Sequence, residues 1–145
     1  MPALPLSYRY RIERRTDGYR FRFPELPEAD FTAATPAEGR AAAPAKLSDA
    51  LFERLRTGNL PAEARPHRGE GVAYLLASAA TKLLFIAKAE ESGLYPAELG
   101  RRLGMTPQEA QRIFKLGHVT KIDTLQAALL AAGWRLKLSV DPVEK

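Results

Sequence analysis

The chain has 145 residues, with 22 Lys and Arg against 17 Asp and Glu for a formal net charge of +5, and it is 46% hydrophobic. That balance suits a folded protein of one ordinary domain or two small ones, and it excludes wholesale disorder. The absence of cysteine removes disulfides, thiolate zinc sites and cysteine nucleophiles, and the two separated histidines, His67 and His118, cannot by themselves build a His-rich metal site.

Residues 8–14, YRYRIER, alternate Tyr8, Tyr10 and Ile12 against Arg9, Arg11 and Glu13. A period of two predicts a strand with one buried face. Thr16-Asp17-Gly18 supplies turn chemistry, and YRFRF repeats the alternation with Tyr19, Phe21 and Phe23 inward, so a β-hairpin is expected. Phe31–Thr35 is a short third strand. Thr35-Pro36-Ala37-Glu38 has the form of a capping box with proline at the first helical position. A helix to about Thr57 follows, with Leu47, Leu51, Phe52 and Leu55 at core spacing and Gly58 as its stop. Gly39 and Pro44 conflict with it, because Pro44 removes the amide that would bond the carbonyl of Arg40. A kink, or a helix beginning near Pro44, is expected. Residues 58–71 read as a loop. Val72–Leu76 is a short apolar strand expected inside the first sheet, which completes a βββαβ unit over 1–78.

From residue 79 the period is helical. Glycines mark four expected helices: Ala79–Ser92 before Gly93, Pro96–Leu103 before Gly104, Pro107–Leu116 before Gly117, and Thr124–Ala132 before Gly133. Thr106-Pro107-Gln108-Glu109 is a second capping box, and Asp123-Thr124-Leu125-Gln126 is an Asp/Gln version. The tail RLKLSV alternates Leu136, Leu138 and Val140 against Arg135, Lys137 and Ser139, which predicts an amphipathic edge strand. Such an edge would pair with a second copy and bury those three side chains as a dimer element. The expected fold class is therefore α+β, with a second, all-α domain over 79–145 that ends in this strand. No apolar run approaches the roughly 18 residues of a membrane span, and MPALPLSYRYRIERR lacks a signal-peptide core. A cytoplasmic protein without a membrane partner is expected.

Charge is distributed unevenly. Within 95–121, Arg101, Arg102, Arg112, Lys115 and Lys121 face only Glu98 and Glu109, which favours a polyanion-facing surface. The same stretch contains PAELGRRLGMTPQEAQRIFK, a short helix, a Gly-Met-Thr turn and a second short helix, the layout of a helix-turn-helix. Leu99, Leu103, Met105 and Ile113 fall where the two helices bury apolar atoms, and Gly100 and Ala110 where they cross. Thr106, Pro107, Gln108, Gln111, Arg112 and Lys115 then point outward. Gln and Arg can make bidentate contacts to adenine and guanine edges, while Thr106 and the helix start can hold a phosphate. His118 follows the second helix and is placed to touch a phosphate. An ordinary helical hairpin with a solvated polar face is the competing reading; the joint fit of apolar, small and polar positions favours DNA binding.

Beyond these local patterns, residues 117–133, GHVTKIDTLQAALLAAG, resemble the tail of Xre/lambda-repressor-type helix-turn-helix domains. Residues 17–39, DGYRFRFPELPEADFTAATPAEG, resemble the HicB antitoxin family through its Gly-Tyr-x-x-x-Phe-Pro-x-Leu-Pro signature, and NLPAEARP matches that family's Pro-containing loop. Gly39 and Pro44 depart from the family's helix-friendly residues, and Glu28-Ala29-Asp30 stands where the family more often has glycine. The resemblance implies an N-terminal partial ribonuclease-H-like fold that blocks a small ribonuclease toxin, HicA. It also implies a C-terminal domain that represses the operon by binding operator DNA, as a homodimer or higher even-numbered oligomer. A stand-alone regulator whose first domain binds a small ligand or another protein is the alternative.

Catalysis is not expected. Ribonuclease-H chemistry needs carboxylates converging on two metal ions, and the candidates, Glu13 at a strand end and Glu38 at a helix start, have no acidic partner on a strand centre. No cofactor is implied. In PELPEAD, residues 24–30, Glu25, Glu28 and Asp30 share a loop without a basic residue. These carboxylates are candidates to occupy the place of RNA phosphates on a basic toxin face; a merely solvated loop is the alternative.

Overall fold

The alternation of residues 8–14 becomes strand β1, Ser7–Arg15, and the second run becomes β2, Gly18–Arg22. They pair antiparallel from Arg11 opposite Arg22 to Arg15 opposite Gly18, which leaves Thr16-Asp17 as a two-residue turn. The computed structural model describes residues 4–61 and 71–142. The NLPAEARP loop from Ala62 onward and His67 lie outside the described residues. The chain folds as two compact units, one of residues up to Leu76 and the other of Ala77–Asp141.

In the first unit β3, Phe31–Ala33, pairs with β2, and β4, Gly71–Tyr74, pairs with β1; the sheet order is β3-β2-β1-β4, all antiparallel. The expectation that the fourth strand lies inside the sheet is corrected, since β4 is an edge. An apolar run suggested burial on both faces, but here only alternate residues, Ala73 and Leu75, are buried, while Tyr74 and Leu76 are exposed.

Helix α1 covers one sheet face and runs unbroken over Pro36–Thr57, with Pro44 inside it. The expected start near Pro44 is therefore wrong. The Thr35 hydroxyl accepts the Glu38 amide at 3.1 Å, so the cap stands at the earlier position. Ala43, Leu47, Ala50, Leu51 and Leu55 are buried on α1, with Tyr8, Tyr10, Phe21 and Phe31 of the sheet and Phe23 just past β2 buried as well. A proline in a helix interior costs about 3 kcal/mol. Burial of Ala43 before it and of Leu47, Ala50, Leu51 and Leu55 after it outweighs that cost, at about 1.5–3 kcal/mol for each leucine. Phe52 is only half-buried, its ring under the Arg56 guanidinium at 4.3 Å.

The conflict at Gly39 is resolved by contact. A Cβ there would lie 2.0 Å from Phe21 Cε1. Gly39 is what lets α1 approach the ring.

The second unit holds α2, Ala77–Ser92; α3, Pro96–Leu103; α4, Pro107–Ile113; and α5, Ile122–Ala131. Here α2 packs on α5, and α3 packs on both α4 and α5. The core includes Leu83, Phe85, Ile86, Leu99, Ala110, Ile113, Leu125, Ala128 and Leu129. Gly93, Gly104 and Gly133 take the left-handed conformation that ends a helix, but Gly117 does not. The predicted extension of α4 to Leu116 is corrected: it ends at Ile113, because Phe114 turns inward to meet Phe85 edge-on at 5.1 Å. The start of α5 is corrected too. Lys121 is its N-cap and makes no side-chain bond, so Asp123 already lies within the first turn. Residues 134–142 form no strand, contrary to the predicted C-terminal edge strand. Among the described residues of one chain, that tail has no neighbouring strand to satisfy its backbone. Among the described residues no helix is long and apolar enough to cross a membrane.

Candidate nucleic-acid interface and toxin-facing loop

Two helices can cross closely only if little stands between them. A Cβ at Gly100 would lie 2.9 Å from the Met105 carbonyl and 3.6 Å from Ala110 Cβ, so the α3–α4 crossing leaves no room for a side chain. Gly100 and Ala110 thus sit at the crossing as expected. Leu99 and Ile113 are buried beside them, with Leu103 and Met105 half-buried. Gly104, at φ +68°, turns the chain, and the Met105 amide donates to the Gly100 carbonyl at 2.8 Å.

This frame exposes every residue proposed to face DNA: Arg101, Arg102, Thr106, Pro107, Gln108, Gln111, Arg112, Lys115, His118 and Lys121. Gln108, Gln111 and Arg112 share one face of α4 at helical spacing. Lys115 lies beyond the end of α4, on the turn that follows, so helix geometry does not place it. Thr106 is engaged in a complete capping box: its oxygen accepts the Glu109 amide at 3.2 Å, and the Glu109 carboxylate accepts the Thr106 amide at 3.3 Å. The hydroxyl proton stays available to an acceptor.

The two arginines of α3 differ. Arg101 pairs with Glu98 and projects into solvent. Arg102 donates to Glu98 at 3.1 Å and to the carbonyl of Ala131, the last residue of α5, at 2.7 Å. It therefore ties α3 to α5. The two guanidiniums hold the Glu98 carboxyl below the usual carboxylate range, the Arg102 hydrogen bond contributing most.

One participant was missed from sequence. Lys82 of α2 is almost wholly buried, yet its ammonium donates to the carbonyls of Arg112 at 3.1 Å, Lys115 at 2.8 Å and His118. Three donors meet three acceptors, which is full satisfaction for an ammonium. Burial holds it below the ordinary lysine range. A lone lysine in the apolar run Thr81–Ile86 was the available signal, but its partners lie some thirty residues away in sequence.

In the first unit, Glu25 pairs with Arg9, and both side chains are largely buried. Asp30 accepts the Phe23 amide at 2.8 Å and lies 3.8 Å from Arg22. Glu28 alone of the three is half exposed, and it is held by Arg54 through a two-point contact with its longer arm at 2.9 Å. That hydrogen bond lowers the Glu28 pKa. The loop is thus a set of internal ion pairs wound over a 3-10 turn, Pro27–Ala29. Glu13 is bound by Arg15 at 2.9 Å and Arg22 at 3.1 Å. Among the described residues no three Asp, Glu or His gather as a metal-binding group.

At the tail, Leu138 and Val140 are exposed and Leu136 is half-buried. Trp134 stacks under the Lys88 ammonium at 4.1 Å.

No family model matches the chain. Over 136 residues it is 37% identical to a protein named Antitoxin HicB 2 from Photorhabdus laumondii subsp. laumondii, covering 92% of this chain and 95% of the relative. It is 36% identical over 124 residues to Antitoxin HicB of Escherichia coli strain K12, covering 83% and 88%. Antitoxin HicB 1 of the same Photorhabdus strain is 35% identical over 127 residues, covering 86% and 79%. With these identities spread over most of both partners in each alignment, the chain belongs to the HicB antitoxin family.

Proposed function

We propose that the chain is the antitoxin of a toxin–antitoxin pair. Its first unit, a partial ribonuclease-H-like fold, binds and neutralises a HicA-type ribonuclease toxin. Its second unit, an Xre-type helix-turn-helix, binds operator DNA and represses the operon. The observation that carries the DNA half is the close α3–α4 crossing at Gly100, with the polar and basic side chains of Arg101, Thr106, Gln108, Gln111, Arg112, Lys115, His118 and Lys121 all exposed around it. Family membership supports the toxin partner. The protein works by binding, without cofactor or catalysis, in the cytoplasm where operator and toxin meet.

Gln108, Gln111 and Arg112 read base edges in the major groove. Thr106, Pro107, Arg101, Lys115, His118 and Lys121 set the position on the phosphates, and Arg102 contributes mainly by fixing α3 to α5. Two copies occupy half-sites about one helical turn, roughly 34 Å, apart. The unpaired tail with Leu136, Leu138 and Val140 gains its strand partner only in that homodimer or a higher even-numbered oligomer. On the toxin side, Glu28 is the acidic residue of the loop best able to exchange its internal arginine for a basic group of the toxin, with Glu25 and Asp30 holding the loop in shape.

The test separates readers from positioners. Gln111→Ala or Arg112→Ala costs about 1–3 kcal/mol of operator affinity and relaxes base preference. Arg101→Ala or Lys121→Ala weakens binding to all sequences and flattens its salt dependence. Equal behaviour of the two groups in salt-titrated gel shifts refutes the assignment. Co-expression of the Gln111→Ala chain with a HicA-type toxin that the wild-type chain neutralises still protects growth; failure to protect, with the wild type succeeding, means that the toxin contact was assigned to the wrong unit.

A further inference from the structure

Lys82 belongs to none of the proposed DNA contacts, yet its three acceptors are the backbone carbonyls of three residues whose side chains are among those contacts: Arg112, Lys115 and His118. At each of these positions the carbonyl turns in to the ammonium while the side chain is exposed. Two of the carbonyls already accept a backbone amide, Arg112 from Lys115 and Lys115 from His118, each at 3.2 Å. The chain from 112 to 118 is thus a succession of tight turns folded around one cation. The ammonium also stands where the carbonyl end of α4 gathers negative partial charge. Three residues along α2, Phe85 grips Phe114 of the same segment. Lys82 and Phe85 lie on one face of α2 and hold the segment from the inside.

We propose that Lys82 is a positioning residue for DNA recognition: by binding three inward carbonyls it sets the directions in which the side chains of Arg112, Lys115 and His118 leave the backbone. The inference rests on the DNA-binding reading of the second unit. Lys82 touches no phosphate itself. Its loss therefore costs base contacts through Arg112 and phosphate contacts through Lys115 and His118, so affinity falls most for the operator and less for any other duplex.

The experiment uses the full chain with two duplex probes, one from the promoter region of its own gene and one scrambled duplex of equal length and composition. If the wild-type chain does not discriminate between them, the DNA-binding reading itself fails. Where it does, Lys82→Met lowers affinity for the promoter probe about 10- to 100-fold, the equivalent of one lost bidentate contact. Affinity for the scrambled probe falls less, and its salt slope flattens, because Lys115 and His118 lose their phosphate contacts. A chemical rescue separates the charge from general packing. The chain has no cysteine, so Lys82→Cys alkylated while unfolded with 2-bromoethylamine restores an ammonium at that one place, with sulfur replacing a methylene. After refolding, promoter affinity returns to within about threefold of wild type, and the same variant carrying an uncharged propyl group stays impaired. Wild-type affinity in Lys82→Met, or equal recovery with both alkyl groups, overturns the proposal.

Discussion

Replacing Gly39 by alanine sets two opposing effects against each other inside α1. Alanine favours the helix by about 1 kcal/mol over glycine, so an exposed site would gain stability. The structure reverses the sign. The new Cβ would stand 2.0 Å from Cε1 and 2.2 Å from Cζ of Phe21, whereas carbon atoms rest about 3.5–4.0 Å apart. The ring has nowhere to go, since it is fully buried, stacked on Phe31 at 5.0 Å and leaning on Tyr10 at 5.2 Å. Overpacking of a filled core costs about 1–3 kcal/mol, and an overlap this deep belongs at the upper end. The net expectation for Gly39→Ala is a loss of about 1–2 kcal/mol, read as a lower urea midpoint by far-ultraviolet circular dichroism with an unchanged slope. A double-mutant cycle sharpens it. Phe21→Leu alone leaves a cavity, and the Gly39→Ala methyl group partly fills it, so the pair must lose less than the sum of its parts. An unchanged or raised midpoint in Gly39→Ala, or simple additivity in the cycle, refutes the reasoning.

Gly100→Ala forces α3 away from the Met105 carbonyl, and it is expected to lower stability by about 1–3 kcal/mol and weaken promoter binding in gel shifts, while Gly117→Ala, with open space around it, changes stability little. The Glu28–Arg54 pair lowers the folded-state pKa of Glu28, so its stabilisation is present above the ordinary carboxylate range and is lost as pH falls through the depressed value. Because the pair is partly solvated, its worth is about 0.5 kcal/mol, and Glu28→Gln removes that increment of acid sensitivity in urea midpoints measured across the acid range up to neutrality. Deleting residues 134–145 is expected to abolish dimerisation in sedimentation analysis and to lower operator affinity while leaving toxin inhibition intact; a truncated chain that stays dimeric rules out the tail as the dimer element.

Much of the architecture was legible because its determinants are local. Period-two alternation marked β1 and β2, and Thr106 with Glu109 announced a capping box that the structure completes. Gly104 ends α3 where expected. In each case the deciding interaction spans a few residues, so it is written in neighbouring letters. The exposed side chains of α3 and α4 from Arg101 to Arg112 were legible for the same reason, whereas Lys115 and His118 lie on turns past the end of α4 that no helix spacing places. The internal partners of the acidic loop were not. Glu25, Glu28 and Asp30 read as a free acidic cluster, but Arg9 and Arg54 reach Glu25 and Glu28 from 16 and 26 residues away.

By itself, then, the order of residues determined a β-hairpin with two further strands and one helix, followed by short helices with a small-residue crossing and a basic, glutamine-bearing face. The tertiary structure alone decided that α1 continues through Pro44, that Gly39 is a contact with Phe21 and not a weakness, and that α4 stops at Ile113 around the ammonium of Lys82. Propensity and capping are sums over adjacent residues. Whether a proline is outweighed, a glycine is required or a buried cation is satisfied depends on which distant atoms arrive beside it, and only the folded chain specifies that.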